Sequence, residues 1–327
     1  MSFRRIAEIA SILLFSCAPR RAPVVVETPS AASQTKITSP GWLVWTHRDD
    51  GTMKTALVDS SGEVLAEAPS AVIAADGELF ALARTRKTFD LAACEDGGGG
   101  GLGPSAGEVL SVVRLDADER ARPIVRGFDP RAEDGDAGVV HQAVDVVGSV
   151  GPRLFTRDNV WTYACGAHGF WSQTSQVVDV TSASDVLVRP DDLEQASQAA
   201  RDRFVAMAKE DDSIGALWQN GDPGEPQYAA FEPRFDAGQL HLVHVFLADA
   251  PYAFGNTKWR SYAVETEVPA RVPPELAAAL DVPAPVRVHA SQLGKDDRFG
   301  GFSTVDDAQL AAHTLADVPR MAARPSS

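Results

Sequence analysis

Trp42-Leu43-Val44-Trp45, Thr55-Ala56-Leu57-Val58, Ala71-Val72-Ile73 and Leu79-Phe80-Ala81-Leu82 are short apolar runs within residues 41–89. Asp50-Gly51, Ser61-Gly62 and Asp76-Gly77 stand between them. Asp-Gly and Ser-Gly accept the positive φ of tight turns, so short β-compatible runs separated by them predict hairpins. The stretch reads as an antiparallel meander. A β-propeller blade has the same look, but the pattern does not repeat further along, which argues against a full propeller.

Beyond the meander the strand signals continue at 109–115, 139–150, 153–157, 160–165 and 176–180. Then the period changes. After Pro190 and Asp191, residues Leu193, Ala196, Ala200, Phe204 and Met207 fall on one face of an amphipathic helix. Asp191 and Asp192 sit at its positive end and Lys209 near its negative end. Strands resume at 227–232, 239–247 and 260–268. Short helices are expected from Pro274 to Leu280 and from Asp306 to Ala316. This order predicts an α+β fold with a mostly antiparallel sheet, one main helix packed on it and a short C-terminal helix.

The N-terminus carries a different signal. Arg4-Arg5 precede the apolar run Ile9–Phe15, which is too short for a transmembrane helix. Leu14-Phe15-Ser16-Cys17 resembles the bacterial lipobox, in which the Cys becomes the acylated first residue. The expected layout is a signal peptide at 1–16 and a Ser/Thr/Pro/Ala-rich tether at 17–40. A β-meander region follows at 41–135, an α+β envelope domain at 136–290, and a tail with a possible short helix at 291–327. Lipid on Cys17 would hold an exported protein to the membrane, facing the periplasm or the cell surface.

Three cysteines are present. With Cys17 lipidated, Cys94 and Cys165 remain as a pair in an oxidising compartment, where a disulfide persists. Two separate thiols are the alternative, since sequence does not place them together. The net charge of −15 repels nucleic acid and suits either simple solubility or a cationic partner.

Few motifs carry chemistry. The glycine run from Gly97 lacks the Lys-Ser/Thr pair and helix of a phosphate loop. Glu133-Asp134-Gly135-Asp136 does not follow the EF-hand ligand order. His241 and His244 are three apart on an expected strand, so they point to opposite faces and read as surface histidines rather than a zinc pair. Asp185, Asp191 and Asp192 read as turn and helix-start residues. No metal and no cofactor is expected. Cys165-Gly166-Ala167-His168 sets a thiol near an imidazole, but a bridged Cys165 has no nucleophile to offer.

Trp161-Thr162-Tyr163-Ala164-Cys165-Gly166-Ala167-His168-Gly169, followed by Val178-Asp179-Val180, resembles the Tyr-x-Gly-Gly-Ala-His motif of a family of bacterial envelope domains. That family includes the extracellular part of a lysozyme-sensing anti-sigma factor and an accessory domain of a peptidoglycan deacetylase. Phe231 to Leu240, Tyr252-Ala253-Phe254-Gly255 and Val268-Pro269 are similar to its later strands. The likeness spans about residues 140–280. Cys165 replaces the motif's first Gly, and Ser261 stands where Pro is usual.

The resemblance implies a non-catalytic binding module for a lysozyme-like cationic protein or peptidoglycan, with Gly166, Ala167, His168 and Gly169 as candidate ligand contacts, although glycines beside Ala-His read first as close backbone packing and a turn with His168 hydrogen-bonded inside. Two other readings remain: an envelope hydrolase with its site near His168, and a propeller-like structural lipoprotein with no small ligand.

Overall fold

The computed structural model describes residues 39–89, 104–115, 121–125, 139–163, 170–186, 191–210, 226–249 and 263–322. Cys17, Cys94, Cys165 and the Gly166–Gly169 segment lie outside them. Hairpins form where the turn chemistry asks for them. Strands β1 (Gly41–His47), β2 (Met53–Val58) and β3 (Val64–Ala68) run as an antiparallel meander. After β2, Asp59 Oδ1 accepts the backbone N–H groups of Ser61 and Glu63 at 2.8 and 3.0 Å, which turns the chain. Between β4 (Val72–Ala75) and β5 (Glu78–Phe89) stand only Asp76 and Gly77, at φ 52° and 78°. Two positive φ values in a two-residue loop match the twist of the flanking strands.

The next strands are β6 (Ser105–Arg114), β7 (Arg122–Val125), β8 (Val139–Val150), β9 (Arg153–Tyr163), β10 (Phe170–Asp179) and β11 (Ser184–Asp185). With β4 and β5 they make an eight-stranded sheet, ordered β11-β10-β9-β8-β6-β5-β4, with β7 on β6. The seam between β6 and β8 is parallel and the others are antiparallel. Side chains strengthen that seam. Ser105 Oγ accepts from the Val140 N–H at 2.9 Å, and Glu108 Oε2 from the Val144 N–H at 3.0 Å.

Helix α1 (Leu193–Glu210) follows, then β12 (Gln227–Asp236), β13 (Gln239–Asp249) and β14 (Ala263–Pro269), a three-stranded antiparallel sheet. α1 lays Ala196, Ala200 and Phe204 against Phe246, Ala248, Val264 and Val268, so the stripe read from the sequence is the buried face. The short helices α2 (Pro274–Ala277) and α3 (Ala284–Ala290) place Leu276 and Val286 against a core shared by all three sheets. Strand β15 (Arg298–Val305) then pairs antiparallel with β1 and completes a four-stranded sheet, β15-β1-β2-β3. Helix α4 (Ala308–Ala322) covers its other face through Ala308, Ala311, Leu315 and Val318. The α+β class and the antiparallel sheets are as the sequence implies.

Two features differ from the sequence reading. The stretch after residue 290 supplies β15, whose glycines conceal a strand pattern. Strand β9 runs unbroken through Asp158-Asn159. These polar side chains are satisfied across the ladder, Asp158 by Gln142 Nε2 at 2.7 Å and Asp145 by Asn159 Nδ2 at 2.9 Å, so they do not turn the chain. As the unrepeated meander pattern argued, sheets of four, eight and three strands are not the repeated four-stranded blades of a propeller among the described residues.

One junction ties the sheets together. Trp45, fully buried on β1, donates its indole N–H to Ser149 Oγ on β8 at 2.8 Å. Its ring lies over Gly300 of β15, where an added Cβ would meet Trp45 ring carbons at 2.2–2.5 Å. A Cβ on Gly148 would meet Pro233 of β12 at 2.7 Å. Overpacking a filled core costs about 1–3 kcal/mol. Gly300→Ala is therefore expected to lower the unfolding free energy by about that amount, read by urea unfolding, while an Ala at Gly77, which has open space, is expected to cost only its turn strain.

Candidate functional site

The segment that carries the family resemblance joins β9 to β10, and the described parts of those strands frame it. His141 on β8 stands opposite Trp161 on β9. Their rings are near-parallel, with centroids 5.7 Å apart and planes 26° apart. Tyr163 is two residues beyond Trp161, hence on the same face. Its ring lies 6.4 Å from that of Trp161 with planes 15° apart. The three half-buried rings form a continuous strip within the usual range of aromatic contact. In the register, Trp171 of β10 stands opposite Trp161.

Along the same face the strip gives way to polar side chains. Asn159 donates to Asp145, and Arg157 stands opposite Asp145 in the ladder. Burial pushes the Asp145 carboxyl above the usual carboxylate range, with Arg157 and Arg84 pulling the other way. Gln173 and Ser175 of β10 face Asn159 and Arg157, and Gln173 Nε2 and Ser175 Oγ have no hydrogen-bond partner.

Arg157 reaches the three-stranded sheet. It grips Glu232 with both Nε and Nη2, the latter 2.6 Å from Oε2, and its Nη1 lies 3.2 Å from Glu265 Oε2. Arg234 holds the other side, with Nη2 2.9 Å from Glu232 Oε2 and Nε 2.7 Å from Glu267 Oε1. Burial opposes the charge on Arg157, but its hydrogen bonds and ion pairs with Glu232 and then Glu265 outweigh it and hold the guanidinium above its ordinary pKa. Glu232 is 1% exposed, so its charge depends on these partners.

A second polar cluster lies at the start of α1. His244 is fully buried, and its Nε2 is 2.8 Å from Asp192 Oδ1. Asp192 Oδ2 accepts the Arg271 backbone N–H at 2.7 Å, and Arg271 Nη1 lies 3.0 Å from Asp191 Oδ2. Burial would raise the Asp192 pKa, but the Arg271 N–H and His244 reverse it and leave the carboxyl below its usual range. The two histidines do take opposite faces of β13, with His241 partly exposed. His244 is not a surface residue, however, and Asp192 does more than start a helix. The signal was available: His244 shares one face of β13 with Leu240, Leu242, Phe246 and Ala248, all buried. Tyr228, Phe231 and Phe246 surround its ring at 5.9, 5.7 and 6.4 Å. A histidine sealed this way ties α1 to the sheet and is closed to substrate.

A cavity of about 120 Å³ lies between β1, β2 and the turn after α3, lined by Thr46, Lys54, Glu67, His289 and Asp297 among others. Arg48 Nε and Lys54 Nζ reach Asp297 at 2.7 and 2.8 Å and hold its pKa down at about 2. The space is small against the 300–1,000 Å³ typical of ligand pockets. Among the described residues no cluster of three or more His, Cys, Asp or Glu could hold a metal ion, and no helix is long and apolar enough to cross a membrane.

No family model and no curated protein matches the chain. A solved structure of a DUF3298 family member from Bacteroides fragilis is similar at 14% identity and a TM-score of 0.34. The match covers 65% of this chain and 98% of that one. A likeness this distant fixes neither fold nor function.

Arg157→Ala is expected to destabilise the fold by about 3 kcal/mol in urea unfolding, because it takes from the buried Glu232 its two-pronged partner. A pH dependence follows from His47. Burial, then Arg298, lowers its pKa from 6.5 to about 4, so below pH 6.5 the unfolded chain binds a proton that the folded chain refuses. Stability is therefore expected to fall as pH drops from about 6.5 towards 4, by up to about 3 kcal/mol, and His47→Gln is expected to flatten that slope in pH-resolved thermal unfolding.

Proposed function

We propose that this chain is a non-catalytic binding module of the bacterial cell envelope, exported and held to a membrane by a lipid on Cys17. Its ligand is a protein or a cell-wall glycan, of the lysozyme-like or peptidoglycan-related kind that the family resemblance implies. The observation that carries this reading is how the polar groups are used. Arg157 and Arg234 bind Glu232, Glu265 and Glu267, His244 binds Asp192, and Asp297 binds Arg48 and Lys54. These groups are committed to joining elements of the fold, while the half-buried aromatic strip runs up to residues 164–169. That is the distribution expected of a recognition surface on a rigid scaffold.

The reading is tested on the full chain by pulldown from envelope extract and by binding to purified peptidoglycan and to lysozyme. Specific capture of any of these supports it, and capture of none removes it. For the anchor, Cys17→Ser is expected to move the protein from the membrane fraction to the soluble fraction. An intact mass of the native protein is expected to show acyl chains on Cys17 and a Cys94–Cys165 pair two hydrogen atoms lighter than the dithiol; an unacylated native protein would overturn the anchor.

A further inference from the structure

We infer that the cavity between β1, β2 and the turn after α3 is a binding site for a short primary alkylammonium compound that carries a hydroxyl at its far end. This goes beyond the proposed function and does not rest on it. The ionic groups described above are paired with one another, but several polar groups around this cavity are not. Thr46 is 2% exposed, and its hydroxyl has no hydrogen-bond partner. It shares a face of β1 with Val44, and both line the space. A buried hydroxyl left unpaired is costly, so this one asks for a polar atom inside the cavity. Glu67, His289 and Gln292 line the same space. None of these three side chains makes a hydrogen bond or ion pair with another described residue.

Charge chooses the ligand. Lys54 and Asp297 also line the cavity, but they are bound to each other, and Arg48 holds the second oxygen of Asp297. The Glu67 carboxylate is left as the unpaired charge on the wall. His289 is neutral at physiological pH, because burial and then Lys54 lower its pKa from 6.5 and Glu67 opposes them only in part. A neutral imidazole keeps one acceptor nitrogen. The wall is therefore rich in acceptors and has no unpaired cation to satisfy them. An ammonium group supplies three N–H donors and the missing positive charge. The net charge of −15 draws such a ligand in and repels an anion.

The sheet register sets the ligand's length. Ala56 stands opposite both Val44 and Glu67, and Lys54 stands opposite Thr46. Glu67 is thus two strands from Thr46, about 10 Å across the sheet. Glu67 is exposed and stands at the mouth, while Thr46 forms the buried end. Between them the floor is Val44 and Ala56, both buried, which suits methylene groups. The space is about 120 Å³. A cavity of roughly 150 Å³ takes benzene, so this one admits about five or six non-hydrogen atoms. An ammonium group, a chain of about four carbons and a hydroxyl have that size.

The test is calorimetry on the purified full-length protein at low salt, with aminobutanol, butylamine, butanol and hydroxybutyrate as probes. Aminobutanol is expected to bind saturably, and the uncharged butanol and anionic hydroxybutyrate at least about tenfold more weakly. Glu67→Gln, a change on an exposed side chain, is expected to weaken aminobutanol about tenfold and to remove its advantage over butanol. Thr46→Val, which nearly keeps the shape and removes the hydroxyl, is expected to leave butylamine binding unchanged and to bring aminobutanol down to it. Both variants are checked for an unchanged far-UV spectrum and melting temperature; if Thr46→Val does not fold, the Glu67→Gln comparison decides. No saturable heat from any probe means that the cavity holds water only, and overturns the site. Equal binding of the cation and the anion overturns it too, as does aminobutanol binding that either folded variant leaves untouched. The envelope pulldown reads the binding-module proposal separately, so each can fail without the other.

Discussion

The hydrogen bond from the Trp45 indole to Ser149 Oγ joins residues 104 positions apart and is buried. Much depends on it, because among the described residues the three sheets share no backbone ladder. Their relative placement has to come from side chains. Trp45 sits on the first sheet, packs over Gly300 of the same sheet, and bonds to the second through Ser149. Beside Ser149, Gly148 lets Pro233 of the third sheet approach. Glycine is needed there because backbone meets ring and ring meets backbone with no room for a Cβ. Apolar clusters then fill the volume around this junction, and they draw residues from all three sheets.

The second seam is chemically different. Between β9 and the three-stranded sheet an ionic cluster stands beside the Phe155–Phe231 contact, with Arg157 and Arg234 holding three glutamates. Apolar side chains can slide past one another at little cost. A guanidinium that grips Glu232 through two nitrogens has one geometry. The apolar junction supplies cohesion, and the ionic seam fixes how the third sheet is oriented. A single face of β9 carries Arg157, which locks the strand, and further along it the half-buried Trp161 and Tyr163.

Local patterns in the sequence were readable because their causes are local. Asp76-Gly77 makes a tight hairpin since only two residues are involved, and the α1 stripe survives because Phe204 and its neighbours recur every three to four residues. The fold class followed from such patterns. Other features have non-local causes. β15 is hidden because Phe299-Gly300-Gly301-Phe302 carries glycines that serve Trp45, a residue more than two hundred positions earlier. Asp158 and Asn159 resemble a turn until Gln142 and Asp145 are seen beside them. His244 was legible from the apolar residues that share its face of β13, but its partner Asp192 was not, since α1 brings it there. The aromatic strip needs the β8–β9 register to align His141 with Trp161. The positions the motif resemblance highlights, Gly166 to Gly169, lie outside the described residues.

The pairing of β1 with β15 also bears on how the chain is made. The first strand of the fold lies between β2 and a strand delivered some 250 residues later, with Gly41 opposite Val305. A chain emerging from its N-terminus can form the β1–β2–β3 hairpins early, but one edge of β1 stays unpaired until nearly all of the domain has followed. Trp45 likewise has no glycine bed until Gly300 arrives. Completion of this sheet is thus a late event, and the chain stays loosely structured until its last quarter is made. In the meantime an exposed apolar strand edge is present, and it is then that a chaperone has something to hold.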